Sequence, residues 1–239
     1  MAIFRPKWTL PDNVQARITT RTEGVSHGCF NSFNLGAHVG DIDEAVVQNR
    51  AILAHQLPHS PLWLNQIHST TVVNAEHPHT CDADGAYSTK ENLVCLIMTA
   101  DCLPVLMCNK QGTQVAAVHA GWRGLCHGIL EAAVANFTDP QEVMCYLGPA
   151  IGPEYFEVGA EVRQQFIDKD VKAGSCFKAK GDKYLADLYK LARQRLTNIG
   201  VTDITGEVDC TYSQPDKYFS YRRDGQTGRM ASLIWIKQT

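Results

Sequence analysis

Leu93-Val94-Cys95-Leu96-Ile97-Met98-Thr99-Ala100-Asp101-Cys102-Leu103-Pro104-Val105-Leu106-Met107-Cys108, continued after a turn by Gln114-Val115-Ala116-Ala117-Val118-His119-Ala120-Gly121-Trp122-Arg123-Gly124, forms the apolar centre of the chain. Leu93 to Met98, Pro104 to Cys108 and Gln114 to His119 are short β-leaning runs separated by turn residues, as buried strands are. Lys110-Gln111-Gly112 suits a hairpin between the second and third, and all three runs are expected to be neighbours in one sheet. After Gly124 the period changes. Leu125, Ile129, Ala133 and Phe137 mark one face of a helix, so His119 is placed at a strand-to-helix junction. Packing gives no reason for apolar runs to stop at a thiol and an imidazole, whereas a site built at strand ends does.

Working outward, the 239 residues, 44% of them hydrophobic, suffice for a full core. Glycine and proline are scattered without a linker, so one domain over residues 1–239 is expected. The net charge of −3 lacks the basic excess that nucleic-acid binding needs, and no nucleic-acid partner is expected. Arg5, Pro6 and Lys7 interrupt the apolar start before a signal-peptide core could form, and Leu93 to Met98 is too short to span a bilayer. A cytoplasmic protein with no membrane partner follows; its oligomeric state is open. Nine cysteines, an odd number with no C-x-x-C pair, argue for reduced thiols. Cys95 and Cys145 sit inside apolar runs as small core residues, whereas Cys102 lies between Asp101 and Pro104.

Elsewhere the pattern predicts a strand over Arg17 to Thr22 and a long ordered loop from Gly24 to Gly40. A helix capped by Asp41 and Asp43 is expected to run to about Leu57. Leu62 to Gln66 and Thr71 to Asn74 read as strand pieces flanking His68, and Val143 to Leu147 as a buried strand ending in the rigid turn Gly148 to Pro153. A helix follows from about Gly159 to Ile167. Leu185, Leu188, Tyr189, Ala192 and Leu196 form a helical stripe closed by Gly200, and strands return around Thr205 to Tyr212 and Met230 to Lys237. The mixed order favours an α+β fold, layered with helices outside mixed sheets.

The chemistry concentrates on His68, Cys102 and His119. Zinc takes thiolate and imidazole donors, and a catalytic site keeps three protein ligands with a fourth position open, so this trio supplies a zinc site. The same atoms also suit a Cys102 nucleophile with His119 as its base, or a buried thiol beside satisfied core histidines. Two polar clusters are candidate substrate holders: Ser32 to His38, including Asn34, with Arg50 on the following helix; and Phe219 to Arg229, where three arginines, Arg222, Arg223 and Arg229, can present forks to phosphate or carboxylate. Arg123 beside Trp122 is a further anion candidate, while an Asn/Ser turn with a solvated arginine explains the first cluster equally well and a solvated charged hairpin explains the second somewhat better.

Thr19-Thr20-Arg21, Gly24-Val25-Ser26, Ser32-Phe33-Asn34-Leu35-Gly36, Val39-Gly40-Asp41, Asn49-Arg50, Gln66-Ile67-His68, Asp82-Ala83-Asp84-Gly85-Ala86, Thr99 to Pro104, His119 to Gly124, Gly148 to Pro153 and Phe219 to Ala231 together resemble the YfiH family of laccase-domain proteins, over nearly the whole chain. The resemblance implies an α+β sandwich of the kind shared with cytotoxic necrotizing factors, and a zinc site on His68, Cys102 and His119. It implies purine nucleoside phosphorolysis (inosine, adenosine, methylthioadenosine plus phosphate) and adenosine deamination, with copper-dependent polyphenol oxidation as the family's older description. A Cys-His hydrolase or amidase acting on cell-wall precursors and a metal-binding interaction module are the alternatives from other classes. A true multicopper site needs many paired histidines, and His77-Pro78-His79 is the only H-x-H here. Where relatives carry cysteine after Pro153 this chain has Glu154-Tyr155-Phe156-Glu157, so no thiol role transfers there.

Overall fold

The computed structural model describes residues 2–206 and 208–238; Met1, Glu207 and Thr239 lie outside the described residues. In chain order the elements are β1 (Ile3–Phe4), β2 (Val14–Thr19), α1 (Asp43–Ala54), β3 (Val72–Asn74), β4 (Gly85–Ser88), β5 (Cys95–Thr99), β6 (Leu103–Asn109), β7 (Val115–Ala120), α2 (Trp122–His127), α3 (Ile129–Val134), β8 (Val143–Leu147), β9 (Glu157–Val158), α4 (Ala160–Lys169), β10 (Phe177–Lys180), β11 (Lys183–Ala186), α5 (Leu188–Asn198), β12 (Asp203–Thr205), α6 (Tyr221–Asp224) and β13 (Met230–Ile236). They build a six-stranded sheet of order β12-β8-β6-β7-β4-β3, a four-stranded sheet of order β1-β2-β13-β5, and a small sheet β10-β11-β9. The fold is α+β, as expected.

Strand alternation sorts the core into layers. Cys95 and Ile97 of β5, Ile234 and Ile236 of β13, Leu106 and Cys108 of β6, and Val115 and Ala117 of β7 meet between the two large sheets. The opposite face of β6 and β7, with Leu103, Val105, Met107, Ala116 and Val118, packs on α2, α3, α4 and α5. Leu96, Met98, Leu233 and Trp235 face away from the six-stranded sheet onto Phe33, Leu35 and Leu53, so the long loop and α1 cover that side. Fully burying side chains of this kind contributes about 1.5–3 kcal/mol each.

Several expectations are corrected. The strand read as Arg17 to Thr22 runs three residues earlier, over Val14–Thr19. β6 and β7 pair through the expected hairpin, but β5 is not their sheet neighbour. It pairs with β13, Met230 opposite Thr99 and Ile234 opposite Cys95, which places it in the facing sheet. The Leu125 to Phe137 stripe is two helices, because Gly128 sits at φ +102° and turns the chain between α2 and α3. Leu185 lies in β11 rather than on the helix it was read with. Leu62 and Asn65 make only isolated bridges, to Cys95 and Asp82. Within Thr205 to Tyr212, Cys210 forms one bridge to Ala150, and Glu207 is outside the described residues. Neither expected aspartate caps α1, whose N-cap is Ile42 with no side-chain cap bond. Asp41 instead accepts Ser26 Oγ at 2.6 Å and Asn34 Nδ2 at 2.9 Å, tying the loop to itself.

Candidate metal centre

His68, Cys102 and His119 converge. One donor atom from each lies within 4.8 Å of the others. Cys102 sits in the short crossover from β5 to β6, that is, from one large sheet to the other. The preceding Asp101 takes φ +89°, a conformation that costs a non-glycine residue roughly 1 kcal/mol or more. Its surroundings hold it there: the carboxylate accepts Thr211 Oγ1 at 2.6 Å, Ser220 Oγ at 3.0 Å and the Arg222 amide at 2.6 Å, and its carbonyl accepts the Ile151 amide at 2.9 Å. His119 closes β7 on the same face as Val115 and Ala117, so it points between the sheets where the sandwich opens. His68 stands in a loop at φ +59°, its ring edge-on to that of His119 with centroids 4.8 Å apart.

Asp84, fully buried just before β4, organises two of the three donors. Its Oδ1 is 2.8 Å from His119 Nδ1 and accepts the His68 amide at 3.0 Å. Its Oδ2 accepts the Ser69 amide at 2.6 Å and hydroxyl at 2.8 Å, and the Ile67 amide at 3.3 Å. A carboxylate on Nδ1 fixes the ring and leaves Nε2 as the free donor, as an outer partner of a metal-binding histidine does. The hydrogen bonds from His119 and Ser69 outweigh burial and hold the Asp84 carboxyl below its usual range. Burial alone would lower the His119 pKa, but the charge of Cys102 and the bond to Asp84 prevail and raise it to about 9. The His68 imidazole is held below its ordinary value by burial and by the neighbouring His119. Cys95 and Cys108, by contrast, are pushed up to about 12 by burial and are inert core thiols.

A pH dependence follows for metal-free protein. The elevated His119 value adds stability in full below the unfolded histidine pKa near 6.5 and loses it as pH rises through about 9. The depressed Asp84 value works at the other end, adding stability above the ordinary carboxylate range and losing it as pH falls through the folded value. Melting of chelated protein is expected to drop by roughly 5–10 °C between about pH 6.5 and 9. Metal-loaded protein, whose ligand imidazole needs no proton, is expected to lack that slope. Thermal melts across this range, with and without chelator, decide it; parallel profiles contradict the arrangement.

Gly121 leaves room for the donors. A Cβ there would lie 2.6 Å from His68 Nδ1 and 3.2 Å from Cys102 Sγ. Its backbone, φ −62° and ψ 156°, is one that alanine adopts freely, so the conflict falls on the donors alone. Gly121→Ala is expected to keep its fold while metal affinity falls by about tenfold or more, measured by chelator competition. Wild-type affinity in that variant would remove the trio as the metal site.

The trio lines a cavity of about 480 Å³. Trp122 and Tyr221 supply aromatic surface, Arg123 and Arg229 supply positive charge, His38 adds an imidazole, and among the described residues no acidic side chain lines it. Burial and the charges of Arg229 and Arg50 hold the His38 imidazole below its ordinary value, which registers the positive potential. Of the residues expected to hold substrate, Arg123 is on this wall, its guanidinium 4.5 Å over the Trp122 ring. Asn34, Arg50, Arg222 and Arg223 do not line the cavity. Asn34 is fully buried and bonded to Gly36, Asp41 and Arg229. Arg50 donates to the Leu35 carbonyl and stacks on Trp63 at 3.7 Å. Arg222 donates to the Glu157 carbonyl, and Arg223 spends its fork on the carbonyls of Thr211, Tyr212 and Tyr218 and on Asp224. His38, Tyr221 and Arg229 fall within the two clusters expected to hold substrate, Arg229 as one of the three arginines there, while Asp84 and Gln66 had no role beyond the family motifs. Asp84 carried a usable signal, a carboxylate set between Ala83 and Gly85 at the entry to a strand.

Comparison with known proteins accords with this geometry. Residues 15–237 match the family described as "Multi-copper polyphenol oxidoreductase laccase". A Shigella flexneri protein named "Purine nucleoside phosphorylase YfiH" is 54% identical over 236 residues, covering 97% of both chains. A Haemophilus influenzae protein named "Purine nucleoside phosphorylase" is 47% identical over 244 residues, covering 99% of this chain and 100% of its own. A crystal structure of Neisseria meningitidis protein NMB0706 superposes with a TM-score of 0.96 at 49% identity, covering 100% of both chains. No helix among the described residues is long and apolar enough to cross a membrane.

Proposed function

Because this chain belongs to the laccase-domain family of YfiH proteins, we propose that it is a zinc-dependent purine nucleoside phosphorylase, acting on inosine, adenosine and methylthioadenosine with phosphate, and that it also deaminates adenosine. One observation carries the reading: two imidazoles and a thiol gathered at a cavity whose wall is aromatic and cationic, with a buried carboxylate behind them. The names of the relatives supply the reaction class.

The donor set fits zinc. Thiolate and imidazole are its preferred ligands, Asp84 supplies the usual outer carboxylate, and Gly121 provides clearance that a Cβ would fill. His68, Cys102 and His119 would hold the ion, which when bound supplies Lewis-acid polarisation at an open coordination position. Phosphorolysis forms a bond from a phosphate oxygen to C1′ and breaks the C1′–N9 bond, the pair of electrons leaving with the purine, which is then protonated. Trp122 and Tyr221 offer faces for the base, and the cationic wall offers charge for the phosphate. Asp84 keeps the His119 ring aimed at the cavity throughout.

A copper oxidase of the blue-plus-trinuclear kind needs many more ligands than the one three-residue cluster found among the described residues. The test is release of hypoxanthine from inosine with and without phosphate and chelator, alongside the metal content of the purified protein. Phosphate-dependent release, abolished by chelator and restored by zinc, is the expected result. Turnover that survives chelation but is blocked by thiol alkylation would instead favour a Cys102 nucleophile, and copper-restored oxidation of phenols would favour the oxidase.

A further inference from the structure

We propose that Arg229 is the oxoanion anchor of this cavity, the residue whose guanidinium fork takes the phosphate co-substrate beside the metal-binding trio. The inference rests on the phosphorolytic reading above. Its first support is the composition of the wall: Arg123 and Arg229 line the cavity, and no acidic side chain among the described residues joins them. Two guanidinium groups on one wall attract an arriving anion.

Arg229 is distinguished from the other arginines by what its fork does. Nη1 donates to the Thr227 and Gly228 carbonyls at 2.9 and 3.0 Å, and among the described residues no carboxylate pairs with it. Arg229 shares the cavity wall with Cys102, and burial pulls its guanidinium below the ordinary arginine value, opposed by the charges of Cys102 and Asp101. Arg50, Arg222 and Arg223 are spent on carbonyls, ring faces and Asp224, and Arg123 lies exposed over Trp122. Nη2 of Arg229 makes no bond to any described residue, which leaves the cavity side of the fork for an anion.

Two remote segments are shaped to place it. The Arg229 amide donates to Asn34 Oδ1 at 2.9 Å, and its carbonyl accepts the Leu35 amide at 3.2 Å. The side-chain stem crosses Gly36, where a Cβ would lie 2.7 Å from Arg229 Cγ. Asn34 is thus a positioning residue for the arginine rather than a substrate contact, which gives the Ser32 to Gly36 cluster a role through Arg229.

Arg229→Gln is expected to raise the KM for phosphate by about 10- to 100-fold, while metal content and the KM for inosine stay within about twofold of wild type. Arg229→Lys, which keeps charge but loses the fork, is expected to recover part of the loss. Arg222→Gln is expected to leave the phosphate KM unchanged. A folded Arg229→Gln protein with wild-type phosphate KM overturns the assignment. If wild-type protein phosphorolyses no nucleoside, the preceding reading fails, and calorimetric titration of inorganic phosphate decides this one separately. Binding in wild type that is lost in Arg229→Gln sustains the anchor; equal binding in both, or none in wild type, removes it. Should both variants misfold, phenylglyoxal labelling of wild type takes their place: phosphate shielding Arg229 supports the proposal, and labelling indifferent to phosphate overturns it.

Discussion

Cys102→Ala is expected to eliminate metal retention and to lower phosphorolysis by at least about a thousandfold. The thiolate is the one donor that is both charged and soft, so its removal leaves two imidazoles that cannot hold zinc against dilution. The fold is expected to survive. Cys102 is half-buried in a crossover and belongs to none of the apolar clusters, unlike Cys95, Cys108 and Cys145. Cys108→Ala is the matching control: it removes a fully buried sulfur between the sheets and costs about 1–2 kcal/mol while keeping its metal. Metal analysis, circular dichroism and the inosine assay on both variants give the comparison. Metal retained by Cys102→Ala would end the account of the site.

Asp84→Asn carries the second large effect. One carboxylate accepts from the His119 ring, the Ile67, His68 and Ser69 amides and the Ser69 hydroxyl, so it holds two metal donors and the loop between them. The amide keeps the shape but surrenders the charge and turns one acceptor into a donor facing N–H groups. Metal affinity is expected to fall by about 10- to 100-fold, and melting of the metal-free protein by roughly 5–10 °C. The variant is also expected to lose most of the stability slope between about pH 6.5 and 9, because the proton on His119 has lost its partner. Chelator competition and pH-dependent melts measure these separately. Unchanged metal affinity would assign Asp84 to the core rather than to the site.

How much of this was legible in the sequence differs from residue to residue. His68, Cys102 and His119 could be read because ligand-type side chains ended apolar runs, and the structure brings those three together. The arginines could not. Whether a guanidinium is available depends on which carbonyls surround its fork, and Arg222, Arg223 and Arg229 look alike in sequence although only the last lines the cavity. β5 misled for a related reason. Its apolar pattern fits either sheet, and the choice is made by pairing with β13, a strand more than a hundred residues away. Gly128 sits where an unbroken helical stripe passes over it, so the turn between α2 and α3 was hidden by a periodicity that both helices share.

The crossover that carries Cys102 leaves one large sheet and enters the other, while His119 belongs to the second sheet alone. An ion held by these donors would grip both layers at that corner, where the Asp101 carbonyl already accepts the Ile151 amide. Its release would then be felt first at the open end of the sandwich, beside the cavity, while the buried layers behind it stay closed.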